Sequence, residues 1–305
     1  MSFRKDQFFK ENGVSNIHVS GIELSNYSDS ELRKLWRDTL HEGIHGLCFS
    51  MYEDGQEPGD KITKEQVERR IEIIKPYTKW VRSFSCIEGN EFVPEMAHKH
   101  GLKTMVGAWL SDDLDKNEEE IKALIKLTKE GLVDIAAVGN EVLYRNDLAL
   151  EQLIAYMQRV KAAAPHTIVG YVDAYYEFSV HPELIENSDV ILSNCYPYWE
   201  GTSIGYANSH MKAMFDQTLV AAARHGKKVI ITETGWPSRG ESLKIADASE
   251  VNAMKYFIDT QRWSKANGIE LFYFSSFDES WKKDDEGEVG AFWGGIWDKN
   301  ESMKF

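Results

Sequence analysis

The chain has 305 residues, of which 42% are apolar and 28% charged. That is the make-up of a core-forming protein, and it excludes an intrinsically disordered one. A net charge of −14 leaves no surplus of Lys or Arg to neutralise phosphates, so nucleic acid is excluded as an electrostatically held partner. No run approaches the ~18 apolar residues of a membrane-spanning helix. Cys48, Cys86 and Cys195 are too few and too widely spaced for a disulfide framework or a metal site, and they read as small buried hydrophobes. The opening Met-Ser-Phe-Arg-Lys-Asp lacks the apolar core of an export signal. Cytoplasmic residence and export with a removed leader both stay open.

Residues 1–26 form an extension of uncertain structure, with a short hairpin expected at 16–24 around Gly21. Ser28 with Glu31, flanked by Tyr27 and Leu32, makes a capping box and staple for a helix running to His41. Beyond it, short runs rich in β-branched and aromatic residues alternate with amphipathic stretches. Strands are expected at 43–51, 79–85, 102–109, 133–138, 167–172, 190–195, 228–232 and 269–275, each bounded by Gly, Asp or Asn. Between them, helical spacing links Val67, Ile71 and Ile74, then Ile121, Leu124 and Ile125, then Leu150, Leu153 and Met157, and finally Val251, Met254 and Ile258. Thr63 with Gln66 is a second capping box. Gly43, Gly101, Gly131, Gly226 and Gly268 suit the left-handed residue that closes a helix.

Eight strand–helix alternations predict a parallel sheet closed into a single (β/α)8 barrel over 1–305. No amphipathic helix is evident at 277–305, so the helix before the first strand is expected to stand in for the eighth.

The active site of such a barrel lies at the C-terminal ends of its strands. Glu141 ends the fourth strand, in Val-Gly-Asn-Glu (138–141), and Glu233 ends the seventh, in Thr-Glu-Thr-Gly-Trp-Pro (232–237). Each follows an apolar strand, where a carboxylate has no packing reason to be. One alone would read as a helix cap or an ion-pair partner. Two across one barrel mouth are what glycosidic cleavage requires: a proton donor to the leaving oxygen and an anion that attacks or activates water.

These two segments resemble the signature motifs of glycoside hydrolase family 17, the β-1,3-glucanase family. Further matches follow in order: Val-Arg-Ser-Phe-Ser (81–85), Trp-Leu-Ser-Asp-Asp (109–113), Asn-Cys-Tyr-Pro-Tyr-Trp-Glu-Gly (194–201) and Phe-Asp-Glu-Ser-Trp-Lys (277–282). The pattern is closest to the microbial members. The resemblance implies a (β/α)8 barrel and retaining hydrolysis of β-1,3-glucan, with endo action the leading expectation. A β-1,3-glucanosyltransferase, an exo-acting glucosidase and a non-catalytic glucan-binding barrel are the alternatives. It further implies Glu141 as general acid/base, Glu233 as nucleophile, a carboxyl separation of about 5–5.5 Å, and Asn140 on the sugar 2-hydroxyl.

Tyr196 either donates to Glu233 or packs in the core. Arg82 either pairs with Glu233 or satisfies strand-end carbonyls. Glu279 and Lys282 match family positions that contact substrate or support the nucleophile, with a surface ion pair as the alternative. Sugars stack on flat rings, so the aromatic content of 12% suggests a platform. Tyr52, Tyr198, Trp199, Trp236 and Trp281 are the binding candidates. Trp109, Tyr144, Tyr175, Tyr176 and Trp293 fall in the same loops, and at least four of the loop aromatics are expected to face the cleft. His98 and His100 do not share a helix face and predict no metal site. Asp112, Asp113 and Asp115 read as a helix start. No cofactor is implied, the expected partner is a neutral β-glucan, and nothing demands more than a monomer.

Overall fold

The computed structural model describes residues 19–305. The strands are β1 (Ile44–Cys48), β2 (Thr78–Ser83), β3 (Lys103–Ala108), β4 (Ile135–Asn140), β5 (Ile168–Ala174), β6 (Val190–Asn194), β7 (Lys228–Thr234) and β8 (Leu271–Tyr273). They pair in parallel and in chain order, and β8 returns to β1, closing an eight-stranded barrel. Helices α1 (Asp29–His41), α2 (Lys64–Ile74), α3 (Phe92–Lys99), α4 (Leu114–Lys129), α5 (Val142–Arg145) and α6 (Leu150–Ala163) precede β5. Helices α7 (Glu177–Val180), α8 (Pro182–Asn187), α9 (Ile204–Ala223), α10 (Glu250–Ala266) and α11 (Lys283–Glu286) complete the set among the described residues. Among the described residues, no helix is long and apolar enough to cross a membrane.

All eight expected strands form. β4 and β7 run two residues further than their apolar pattern, because Asn140 and Thr234 still pair with Val172 and Tyr273. Each of the five helix-ending glycines predicted above has a positive φ. Thr63 accepts the amide of Gln66 at 3.2 Å, but the Gln66 side chain turns to the Met51 carbonyl at 2.7 Å. The reciprocal half of that predicted box is therefore not made. At Ser28 the box does form, with Glu31 accepting the Ser28 amide at 2.8 Å.

After β8 only single turns follow, at Ser280–Lys282, α11 and Glu288–Phe292. Helix α1 packs beside α10 instead. Trp36, fully buried, sets its ring 5.4 Å from Phe257 of α10 and 5.2 Å from Phe305, so the chain's last residue seals the same joint. Losing a ring buried this way costs about 3–5 kcal/mol. The expected hairpin is not seen in its described part. No strand forms at 19–24, and the carboxylate of Asp259 accepts the amides of Val19 and Ser20 at 3.1 and 2.7 Å. Residues 16–18 lie outside the described residues.

Candidate active site

Three strands carry register irregularities at the same rim: β4 against β5 at Ala137/Asn140, β6 against β7 at Ser193/Asn194, and β7 against β8 at Ile231/Thr234. Such bulges re-aim side chains at strand ends. Here they fall beside Glu141, Asn194 and Glu233. Glu141 itself has φ 53°, left-handed backbone that a non-glycine residue rarely adopts. Gly139 precedes it at φ +86°, where a Cβ would meet Val142 at 2.9 Å. Gly235 closes the other motif, since a Cβ there would lie 2.1 Å from the Phe274 carbonyl oxygen.

The two carboxylates meet on one amide. Asn194 Nδ2 donates to Glu141 Oε1 at 2.9 Å and to Glu233 Oε1 at 3.1 Å. Those two oxygens are therefore no more than about 6 Å apart, closer than the ~6.5–9.5 Å that an intervening water needs. Thr232 fixes the orientation of the bridge by donating to Asn194 Oδ1 at 2.8 Å, which turns the NH2 toward the acids.

Glu233 collects two more donors, Arg82 Nη1 at 2.7 Å and Tyr196 Oη at 2.8 Å. With Asn194, three donors hold the Glu233 carboxyl group in one orientation. The second arm of Arg82 donates to Asn140 Oδ1 at 2.7 Å. A guanidinium only donates, so it holds the Asn140 oxygen toward itself and the amide nitrogen on the other side. Glu141 lacks a cationic partner of this kind. Burial pushes its carboxyl up to about 8, helped by the negative charges of Glu233 and Asp173 and opposed by the bond from Asn194. Glu141 thus keeps its proton near neutrality, as a proton donor beside Glu233 must.

These groups line a cleft of about 410 Å³. Asn140, Glu141, Tyr196, Glu233, Tyr52, Trp199, Glu279, Trp281 and Lys282 all reach it, as do Trp109 and Trp293. Four of the loop aromatics singled out above, Trp109, Trp199, Trp281 and Trp293, are among them. Trp109 is 38% exposed and backed by Arg145, whose guanidinium lies 4.5 Å over the ring.

Glu279 accepts from Ser50 at 2.8 Å and forms an ion pair with Lys282, both largely buried. Burial opposes the charge on Lys282, but Glu279 and Glu286 outweigh it and raise its pKa. This is a buried pair on the cleft wall and not a surface one.

Four of the aromatic expectations need correction. Tyr198 and Trp236 do not line the cleft. Tyr198 is fully buried with its hydroxyl on the Glu241 carbonyl at 2.7 Å, and Trp236 is 1% exposed with Nε1 on the Asp247 carbonyl at 2.9 Å. Their rings pack edge to face at 5.2 Å, so they hold the loops together from beneath. Tyr175 and Tyr176 are likewise buried. Arg82 sits below the cleft floor, 1% exposed, and acts through Glu233 and Asn140. His98 and His100 diverge, to Asp134 at 3.1 Å and to Glu68 at 3.0 Å.

Three groups escaped the sequence reading. In the sequence Asn194 lies inside the expected sixth strand and Asp173 directly after the expected fifth, and neither stands out as a site residue. Glu120, on α4, faces the cleft with its carboxyl pushed up to about 7 by burial and held by the Cys86 amide at 2.8 Å. The only signal for it was a charged residue next to Ile121 on the apolar face of a helix.

Residues 46–294 match the BtgE/BtgC glycoside hydrolase domain family. A β-1,3-glucanosyltransferase from Rhizomucor miehei, solved as an active-site mutant with laminaritriose, is 31% identical with a TM-score of 0.76, over 87% of this chain and 96% of that one. A glucan 1,3-beta-glucosidase of Schizosaccharomyces pombe is 29% identical over 77% of this chain and 78% of its own length. Its counterpart in Saccharomyces cerevisiae is 26% identical over 86% and 90%.

Proposed function

The chain belongs to glycoside hydrolase family 17, and on that premise we propose that it cleaves β-1,3-glucosidic bonds within β-1,3-glucan by a retaining double displacement. The observation that carries this reading is the Asn194 amide bridging Glu141 and Glu233 on the floor of an aromatic-lined cleft.

Glu233 attacks the anomeric carbon while Glu141 passes its proton to the departing glycosidic oxygen. The C–O bond breaks, and a glycosyl ester forms on Glu233. Esterification removes the negative charge beside Glu141, so its pKa falls and it becomes a base. Water then loses a proton to Glu141 and attacks the same carbon, releasing the sugar with its configuration retained. Asn140 presents its amide nitrogen to the sugar 2-hydroxyl. Trp109, Trp199, Trp281 and Tyr52 supply ring faces for neighbouring glucose units. The enzyme works as a monomer on neutral glucan, with no cofactor.

A second reading, transfer of the glycosyl group to an acceptor sugar, is favoured by the likeness to the Rhizomucor miehei glucanosyltransferase. Both outcomes share the ester. A mass-resolved time course on a linear β-1,3-gluco-oligosaccharide of about six units separates them. Shorter products alone, of mixed length, are expected for endo hydrolysis, and early products longer than the starting chain make transfer the principal activity. No change from folded protein refutes both.

A further inference from the structure

Glu141 stands where a helix N-cap side chain would stand, immediately before α5. The first amides of a helix have no partner within it, and a cap residue normally satisfies the second or third of them with its own side chain. Glu141 does not; its side chain makes no capping bond. β5 supplies the missing acceptors. Tyr171 Oη accepts the amide of Leu143 at 3.0 Å, and Asp173 Oδ2 accepts that of Tyr144 at 3.4 Å. Between them, the Val172 carbonyl accepts the amide of Glu141 itself at 2.8 Å. The Tyr171 hydroxyl donates to Asp173 Oδ2, and Asp173 Oδ1 is held by the Ala174 amide at 2.7 Å. Both side chains are fully buried. Neither lines the cleft nor can reach a substrate.

We infer that Tyr171 and Asp173 are positioning residues for proton transfer: they cap the α5 turn in place of Glu141, which frees that carboxylate to face the cleft from its left-handed backbone. This rests on Glu141 being the acid/base. Asp173 also acts through charge. The charged groups facing Glu141 are Glu233 from β7, Asp173 from β5 and Arg145 from its own turn. Those facing Asp173 are Tyr171 on its own strand, Glu177 on α7, and Glu141. An anion at Asp173 helps to keep the proton on Glu141, so removing it makes Glu141 a stronger acid.

The test compares Tyr171→Phe, Asp173→Asn and Glu141→Ala with the natural protein on two substrates. One is a dinitrophenyl β-laminaribioside, whose leaving group departs unaided; the other is a β-1,3-gluco-oligosaccharide, whose leaving alcohol needs a proton. General acid assistance is worth ~10²–10⁴-fold, so a partly misplaced acid loses about tenfold or more in kcat/KM on the oligosaccharide and less than about threefold in kcat/KM on the aryl glycoside, kcat/KM being the readout because it excludes the later base step that both substrates share. Asp173→Asn, which keeps the shape, also moves the basic limb of the pH profile to lower pH. Thermal unfolding is followed alongside. Equal losses on both substrates with an unmoved basic limb, or a lowered midpoint with no kinetic effect, overturn the inference and leave these residues as packing. Equal losses on both substrates in Glu141→Ala would instead overturn the assignment of Glu141 beneath it. Tyr171→Phe removes one oxygen atom, so it keeps the test open should Asp173→Asn fold poorly.

Discussion

Replacing Glu233 by Gln changes one charge and almost no volume, and its effect on Glu141 follows from the geometry. The facing oxygens lie within about 6 Å of each other, since Asn194 donates to both. Two unit charges at ~6 Å in an effective dielectric of about 20 repel by roughly 2.8 kcal/mol, the equivalent of about 2 pH units in the titration of Glu141. Salt does little to screen the pair, because both side chains are buried. The Glu141 carboxyl, pushed up to about 8 by burial and then by Glu233 and Asp173, is therefore expected to titrate at clearly lower pH in Glu233→Gln. The direction is fixed by the sign of the lost charge: without a neighbouring anion, the ionised form of Glu141 costs less. The same fall is what the mechanism needs once Glu233 is esterified.

Titration of ¹³C-labelled glutamate carboxyls by NMR, with Glu141→Gln to assign the resonance, reads the change directly. An inflection still near 8 in Glu233→Gln would mean that burial alone sets the value, and the charge coupling that turns acid into base would fail. In the natural protein, cleavage of oligosaccharides is expected to decline as pH rises through about 8, where Glu141 loses its proton.

Arg82 and the tryptophans provide three further tests. Arg82→Met leaves the buried Glu233 without its cation and Asn140 without its orienting donor. A destabilisation of about 3–5 kcal/mol is expected by chemical denaturation, and a loss below about 1 kcal/mol would show that the pair does not hold the floor. Trp236→Ala is expected to cost about 3–5 kcal/mol of stability through the cavity it leaves beside Tyr198 and Tyr256. Trp109→Ala is expected to raise KM for oligosaccharides while changing stability by less than about 1 kcal/mol. The reverse pattern would place the sugar platform on the wrong ring.

The barrel was legible in the sequence because its signal is periodic. A parallel strand buried on both faces is a short apolar run, and each helix shows one apolar stripe, closed by glycines that do adopt positive φ. Glu141 and Glu233 stood out for the same reason, as charges where the apolar run should simply stop. What escaped lacks such contrast. Asn194 lies inside the expected sixth strand and Asp173 directly after the expected fifth, so neither contrasts with its neighbours, although one bridges both acids and the other caps the turn bearing Glu141. The loop aromatics carry no periodicity at all. Tyr196 reaches the cleft and Tyr198 turns beneath it, because the path of the loop after β6 decides between them. The missing eighth helix was legible as an absence of pattern at 277–305, and α1 beside α10 is its packing consequence.

The central claim is that Glu233 carries the sugar in a covalent ester. Incubation with a 2-deoxy-2-fluoro-β-laminaribiosyl fluoride, which forms such an ester readily and hydrolyses it slowly, tests this by peptide mass mapping. The account predicts a single glycosyl adduct on the peptide containing Glu233, lost in Glu233→Gln. A label on Glu141, or none on an enzyme that cleaves β-1,3-glucan, would contradict it.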